Sequence, residues 1–235
     1  MSKRINPDPM VDQESGPARD LDRTRADILA VATAHFARSG FFGARIDEIA
    51  AETATTKRMI YYCFGSKDEL YSACLHAEYA AIRAHEQALQ LDDMAPAEAI
   101  DAYVRATVRY HDPRPELAML VRTENLRDAV HLDENDQLLN RSIVDALDRV
   151  LARGQAAGEF RAQVSGIEVH VMVTALANYR ITNYKTVNAL FGFALRDPAR
   201  LEHDLDQYVA MLLGWLRRSG VEATADQPAS EVGVQ

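Results

Sequence analysis

Apolar residues recur along most of the chain at the three- to four-residue spacing of a helix. In the first such stretch Ile28, Ala32 and Phe36 lie four residues apart, which predicts a helix from near Asp22 to Ser39, before Gly40. Caps, glycines and prolines delimit further stretches of the same kind. They cover residues 46–53, 56–62, 66–91, 96–112, 116–129, 135–157, 165–184 and 199–218. Since no segment shows a convincing strand-like alternation, we expect an all-α protein of about nine helices.

The two ends of the chain lack this periodicity. Residues 1–20 contain several prolines among polar residues, residues 219–235 show no sustained pattern, and we expect both to be disordered tails. Between them, three N-terminal helices precede a long helix that opens with the capping box Ser66-Lys67-Asp68-Glu69. We therefore divide the ordered chain into an N-terminal domain, residues 21–70, and a C-terminal domain, residues 71–218.

The composition indicates one cytoplasmic chain without a membrane span. Of its 235 residues 48% are hydrophobic, with only 11 Gly and 8 Pro, which disfavours disordered and collagen-like classes. The longest mainly apolar stretch, residues 169–181, is too short and too often interrupted by polar residues to cross a bilayer. The N-terminus has no secretion signal, and two cysteines cannot form a disulfide framework.

The net charge of −9 argues at first against nucleic acid as a partner, but the charge is unevenly distributed. Residues 19–72 carry eight basic and eight acidic side chains, whereas residues 73–235 carry sixteen and twenty-four. A neutral N-terminal domain can still present a basic face if its cations cluster. Binding to nucleic acid therefore stays open for that domain.

Two short helices joined by a tight turn at residues 53–55, after a longer helix, predict a helix-turn-helix over residues 45–64. The second short helix can enter a DNA major groove with its first turn at the bases and phosphates. Its tyrosine hydroxyls can reach phosphate oxygens, and a lysine stands at the start of the next helix. The candidate DNA-binding residues are Arg45, Thr55, Thr56, Lys57, Arg58, Tyr61, Tyr62 and Lys67.

The stretch from Arg25 to Leu70 resembles the DNA-binding domain of TetR-family transcriptional regulators. The resemblance rests on Ile28-Leu29, Ala32, Phe36, Gly40, Ile49-Ala50, Ile60-Tyr61-Tyr62, Phe64, Ser66-Lys67 and Leu70. It implies that Tyr61 and Lys67 hold the DNA backbone while residues 56–58 and Tyr62 lie close to the groove. It also implies a C-terminal domain that binds a small molecule and forms a dimer.

The chain departs from the family pattern at three positions in this stretch, one of which is Cys63, where another aromatic residue or His is common. Family members usually carry Gly at Ala54, where the turn needs a left-handed residue, and we expect Ala there to cost on the order of 1 kcal/mol. Arg45 replaces the usual Ser or Thr cap of the first short helix, so a cap is lost while a phosphate contact becomes available.

Two C-terminal segments are apolar enough to form a dimer seam. Residues 199–218 carry a wide apolar stripe, and residues 167–181 are apolar nearly all round. The alternative is that both helices belong to the core of a single protomer. The candidate interface residues are Val173, Ala177, Leu205, Val209, Leu212 and Leu216.

Polar groups on otherwise apolar C-terminal faces are candidates for a ligand cavity, although each alone is more often a satisfied core group than a ligand contact. They are Tyr103, Tyr110, Arg122, Asn125 and Asn178, with Met119 among the apolar neighbours. Arg122 as a cationic anchor would suit an anionic or carboxylate ligand. The ligand itself stays unknown.

The sequence lacks the common signatures of catalysis, cofactor binding and metal binding. It contains no GxGxxG, no P-loop, no G-x-S-x-G and no H-E-x-x-H, so we expect no catalytic residue, no cofactor and no metal. The leading hypothesis is a homodimeric repressor that binds a palindromic double-stranded operator and is released by a small effector. The alternatives are an effector-independent regulator or activator, whose C-terminal domain only dimerises or binds a protein partner, and an all-α enzyme with an appended DNA-binding head.

Overall fold

The computed structural model describes residues 17–217, with side chains from residue 20 onward. This part of the chain forms nine α-helices, numbered α1 to α9, two short 3₁₀ helices and no strand. The α-helices span Pro17–Gly43, Ile46–Glu52, Lys57–Phe64, Lys67–Gln87, Pro96–His111, Glu116–Asn125, Glu134–Ala156, Gly166–Phe191 and Leu201–Leu216. The 3₁₀ helices are Leu91–Asp93, before α5, and Pro198–Arg200, before α9. The predicted all-α class with about nine helices is confirmed.

Several helix ends differ from the predicted ones for local reasons. α1 begins at Pro17, since proline is well tolerated in a first helical turn, and Gly40 interrupts it with φ 68° and ψ 176°. α6 ends at Asn125 because Asp128 and Ala129 adopt positive φ. α8 continues past residue 184 to Phe191, before Gly192. The predicted tails lie largely outside the described residues.

The chain forms two compact units, and the division falls within α4, between Cys74 and Leu75. The first unit packs α1, α2, α3 and the start of α4 around fully buried side chains such as Ile28, Ile49 and Ile60. The ring of Tyr71 meets the ring of Phe36 edge-on, with centroids 5.0 Å apart. This small aromatic and aliphatic core holds the two short helices in place.

The second unit packs α5 against α7, α8 and α9. Its main core contains buried aliphatic and aromatic side chains from all four helices, among them Val104, Leu147, Val173 and Leu212. The Arg180 guanidinium is almost fully buried, at 2.6 Å from the Asp204 carboxylate and 3.3 Å from that of Asp112. These two ion pairs tie α8 to α9 and to the end of α5.

Candidate functional site

The turn between α2 and α3 brings the two short helices into a helix-turn-helix. Ala54 takes φ 50° in this turn, so a left-handed residue is present where the sequence predicted one. The Thr55 N–H donates to the Ala50 carbonyl oxygen at 3.0 Å. The Thr56 hydroxyl then caps α3 by accepting from the Met59 N–H at 3.1 Å.

The two faces of α3 differ sharply in character. Ile60 and Phe64 are buried in the core of the first unit. The opposite face carries Arg58, Tyr61 and Tyr62, of which Tyr62 is 73% exposed. Hydroxyl and guanidinium groups on this face are accessible to a phosphate backbone or to base edges.

Two of the candidate cations lie beside carboxylates of the same unit. The Lys57 ammonium forms an ion pair with Asp47 of α2 across the turn, and both side chains are about half exposed. Arg45 Nε lies 3.9 Å from the Glu48 carboxylate. Because such exposed ion pairs are weak, a phosphate group can compete for either cation.

Arg45 and Lys67 occupy the ends of helices next to the turn. Arg45 is the N-cap of α2 with φ −115° and ψ 126°, and its side chain makes no capping hydrogen bond, as the sequence predicted. Lys67 is half-buried and donates to the Ala44 carbonyl oxygen at 2.6 Å, with its ammonium 4.9 Å from the Phe41 ring centre. Lys67 therefore has a structural contact in addition to the phosphate contact predicted for it.

The predicted ligand-binding residues do not converge on one cavity. Tyr103 is fully buried, with its hydroxyl 2.7 Å from Nδ1 of His170, and Tyr110 is half-buried with its ring against that of His85. Arg122 and Asn125 are exposed on α6, and the Asn125 amide donates to the Val121 carbonyl oxygen. Met119 on α6 and Asn178 on α8 are half-buried. Arg122 is exposed, and its role as a cationic anchor for a ligand stays a prediction.

A buried cation does exist in the second unit, but on α4. Arg83 and Glu86 are 3% and 2% exposed, and His111 of α5 is 4% exposed. Sequence reasoning missed all three. For His111, the sequence did contain a usable signal. Tyr103, Thr107 and His111 are four residues apart, and this spacing places three polar side chains on the buried face of α5.

Comparison with known proteins identifies the family. A family model described as "Bacterial regulatory proteins, tetR family" matches residues 28–74, and one described as "Tetracyclin repressor-like, C-terminal domain" matches residues 96–212. The chain is 32% identical over 182 residues to the HTH-type transcriptional repressor NicS of Pseudomonas putida, covering 77% of this chain and 86% of that protein. The chain belongs to the TetR family of transcriptional regulators.

Solved structures of TetR-type proteins share the fold. A bacterial regulatory protein in the tetR family from Rhodococcus superposes with a TM-score of 0.66 at 21% identity, over 84% of this chain and 98% of that one. AibR, solved in complex with isovaleryl coenzyme A and operator DNA, superposes with a TM-score of 0.60 at 17% identity, over 80% and 97% of the two chains. The helix-turn-helix and the helical C-terminal unit are thus a known architecture.

The six residues predicted for the dimer interface of this TetR-family regulator lie in the core of the protomer. Val173, Ala177, Leu205, Val209, Leu212 and Leu216 are all buried by other helices of the second unit. The same two helices expose a different apolar set. Met172, Tyr179 and Met211 are 39%, 53% and 56% exposed and line a shallow cavity of about 560 Å³. These side chains lie one or two positions along the helix from predicted residues and are available to a partner.

The described residues hold no cluster of three or more metal-ligating side chains. Within the same range, no helix is long and apolar enough to span a membrane.

Proposed function

We propose that this TetR-family regulator is a ligand-responsive repressor that binds a palindromic operator as a homodimer through residues 45–64 and is released by a small effector. The observation that carries the proposal is the free face of α3. It presents Arg58, Tyr61 and Tyr62 to solvent, beside the half-exposed Lys57, while Thr56 caps the start of the helix. A recognition helix of this kind reads base edges with its first turn and holds phosphates with the groups that follow.

The need for a dimer follows from how a helix-turn-helix reads DNA. Two heads on one face of a duplex contact half-sites about 34–36 Å apart, and a two-fold protein matches a two-fold operator. The exposed Met172, Tyr179 and Met211 of α8 and α9 supply an apolar surface of the kind a dimer buries. A self-complementary contact along these helices would pair two second units.

The repressor role and the effector are supported by the relatives. NicS is described as a transcriptional repressor, and the AibR structure contains both an acyl coenzyme A and operator DNA. The second unit of this chain contains cavities lined by both polar and apolar side chains. If an effector binds better to the DNA-free form, linkage requires that it weaken operator binding by the same factor. The same linkage makes release by a ligand possible without any overlap of the two sites.

Fluorescence anisotropy with DNA from the intergenic region upstream of the gene tests the proposal, with a scrambled duplex beside it at two salt concentrations. The wild type should bind as two protomers per site and lose affinity as salt rises. The double variant Lys57→Ala/Arg58→Ala should bind more weakly, with a salt slope smaller by about 2. Arg141→Ala/Lys185→Ala removes two exposed cations of the second unit and should change neither quantity. Equal losses in the two double variants, or equal affinity for the scrambled duplex, would refute the assigned interface.

A further inference from the structure

One carboxylate of the first unit lies against the start of α3. α2 carries three acidic side chains, and two of them, Glu48 and Glu52, lie 3.9 Å and 2.8 Å from the buried His35 ring of α1. The third, Asp47, contacts α3 instead, where its Oδ1 atom forms an ion pair with the Lys57 ammonium. Asp47 therefore belongs to the same surface as the first turn of α3.

Half of the Asp47 carboxylate is unused. The side chain is 49% exposed, and within the part of the chain that the structure describes its Oδ2 atom makes no hydrogen bond or ion pair. The Lys57 ammonium has three N–H donors, of which the contact with Asp47 needs one. An accessible acceptor oxygen and an accessible donor therefore lie side by side at the start of α3.

A carboxylate at this place weakens binding to DNA of arbitrary sequence. Non-specific affinity comes from cations at phosphate groups, and Asp47 both repels phosphates and occupies the Lys57 ammonium. The neighbouring Arg58 is exposed and, among the described residues, has no carboxylate partner. The unfavourable charge of Asp47 is compensated in a complex only where the DNA offers its free oxygen a hydrogen-bond donor.

The chemistry of the major groove limits which base can supply that donor. Guanine and thymine present acceptors there, whereas cytosine presents its N4 amine and adenine its N6 amine. The adenine amine stands beside the acceptor N7, which repels the second oxygen of a carboxylate. The cytosine amine stands beside a carbon that carries only hydrogen. Cytosine is therefore the base whose edge suits a carboxylate.

We propose that Asp47 determines part of the operator sequence by accepting a hydrogen bond from the N4 amine of one cytosine in each half-site. Lys57 is a positioning residue in this contact, because its ammonium holds Oδ1 and offsets the negative charge near the phosphates. The other N–H groups of Lys57 stay available to a phosphate. The inference deepens the proposed function and rests on it, since the start of α3 must enter the major groove.

Selection of bound duplexes from a randomised pool, followed by sequencing, tests the base preference of the full-length protein. The wild type should enrich cytosine roughly tenfold over the other bases at one position of each half-site, and Asp47→Ala should reduce that preference to within about twofold. Asp47→Asn should shift the preference towards adenine, because an amide matches adenine N6 and N7. Glu48→Ala removes the same charge one residue away and should keep the cytosine. An unchanged cytosine preference in Asp47→Ala, or an Asp47-dependent preference for another base, would overturn the proposal.

Synthetic duplexes of the selected site test the amine itself. Replacing the cytosine by thymine, with adenine opposite it, exchanges the amine for an acceptor oxygen. The wild type should lose roughly tenfold in affinity, whereas Asp47→Ala should lose less than about twofold. Each value is a ratio of two affinities of one protein, so a smaller folded fraction of a variant cancels from it. Equal losses in the two proteins mean that another group reads this base, and the proposal then fails.

The outcomes stay distinguishable from those of the proposed function. A wild type that enriches no sequence contradicts the regulator, and the inference falls with it. A wild type that enriches a palindromic site, with the same base preferences in Asp47→Ala, contradicts the role of Asp47 alone. On a scrambled duplex Asp47→Ala should bind at least as tightly as the wild type, because it removes an acid near the phosphates. Weaker binding there would mean that Asp47 only supports the fold, which also overturns the inference.

Discussion

The Lys67 ammonium donates a 2.6 Å hydrogen bond to the carbonyl oxygen of Ala44, in the link between α1 and α2. Lys67 begins α4, so this contact fixes the start of α4 against the segment that leads into the helix-turn-helix. Lys67, which the sequence predicts to contact a phosphate, therefore also stabilises the DNA-binding unit. Its two roles can be separated by measuring stability and DNA affinity side by side.

Lys67→Met should destabilise the first unit by about 1 kcal/mol, because it removes a charge-assisted hydrogen bond that is only partly exposed. Urea unfolding followed by circular dichroism measures the loss. Lys185→Met, at an exposed position on α8, is the matched control and should leave the unfolding free energy within error. A loss of DNA affinity by Lys67→Met with unchanged stability would show that the Ala44 contact contributes nothing in solution.

Ala54→Gly should stabilise the protein. Ala54 holds φ 50°, a conformation that costs an L-residue about 1–2 kcal/mol and glycine almost nothing. Since glycine also loses more entropy on folding, we expect a net gain of roughly 0.5 kcal/mol. Thermal unfolding of Ala51→Gly provides the contrast, since Ala51 is exposed inside α2 and glycine there should cost about 0.5–1 kcal/mol. A lower melting temperature for Ala54→Gly would contradict the strain at this turn.

The helix-turn-helix could be predicted closely because its signals are local. The capping role of Thr56, the missing cap at Arg45 and the left-handed turn at Ala54 each depend on residues within a few positions. The same local spacing predicted the correct number of α-helices, nine in the described part of the chain. It failed at the ends of α1, α6 and α8: α6 stops before residues with positive φ, and α8 continues to the left-handed Gly192.

The C-terminal predictions required information that spacing along one helix does not contain. An apolar stripe identifies a helix face that will be buried, but not whether its own protomer or a partner buries it, and Leu205 and Leu212 are covered by their own protomer. Arg122 and Arg83 are both arginines among apolar residues in the sequence. Only the packing of α4 against the rest of the second unit shows that Arg83 is the buried one.

Arg45→Ser should affect stability and DNA binding in opposite directions. Arg45 already has the extended conformation of an N-cap, so a serine hydroxyl can accept from the first N–H groups of α2 and stabilise the protein by about 1 kcal/mol. If Arg45 holds a phosphate, the same change lowers DNA affinity and reduces the salt slope by about 1.

Arg45→Ala isolates the charge in that comparison, because it removes the guanidinium without adding a cap. Denaturation and anisotropy titrations on the two variants should show equal losses of DNA affinity and unequal stability. Unchanged affinity in both variants would remove Arg45 from the DNA interface.

His111 should make the protein sensitive to acid. Burial lowers its pKa to about 4 from the ordinary value of 6.5, so the unfolded chain takes up a proton at a higher pH than the folded one. The stabilising effect of a neutral His111 is complete above pH 6.5 and is lost as the pH falls through 4. That shift corresponds to about 3 kcal/mol of unfolding free energy.

His111→Asn removes this titration but keeps a polar side chain, so its unfolding free energy should fall less steeply than that of the wild type between neutral pH and about pH 4. The raised pKa of Glu86 acts in the opposite sense, because it adds stability as the pH falls. Since both proteins contain Glu86, its contribution largely cancels in the difference between their unfolding free energies. The exposed His203 provides the control, and His203→Asn should follow the wild-type curve. Parallel urea-unfolding curves for wild type and His111→Asn across this range would mean that His111 is already solvated in the folded protein.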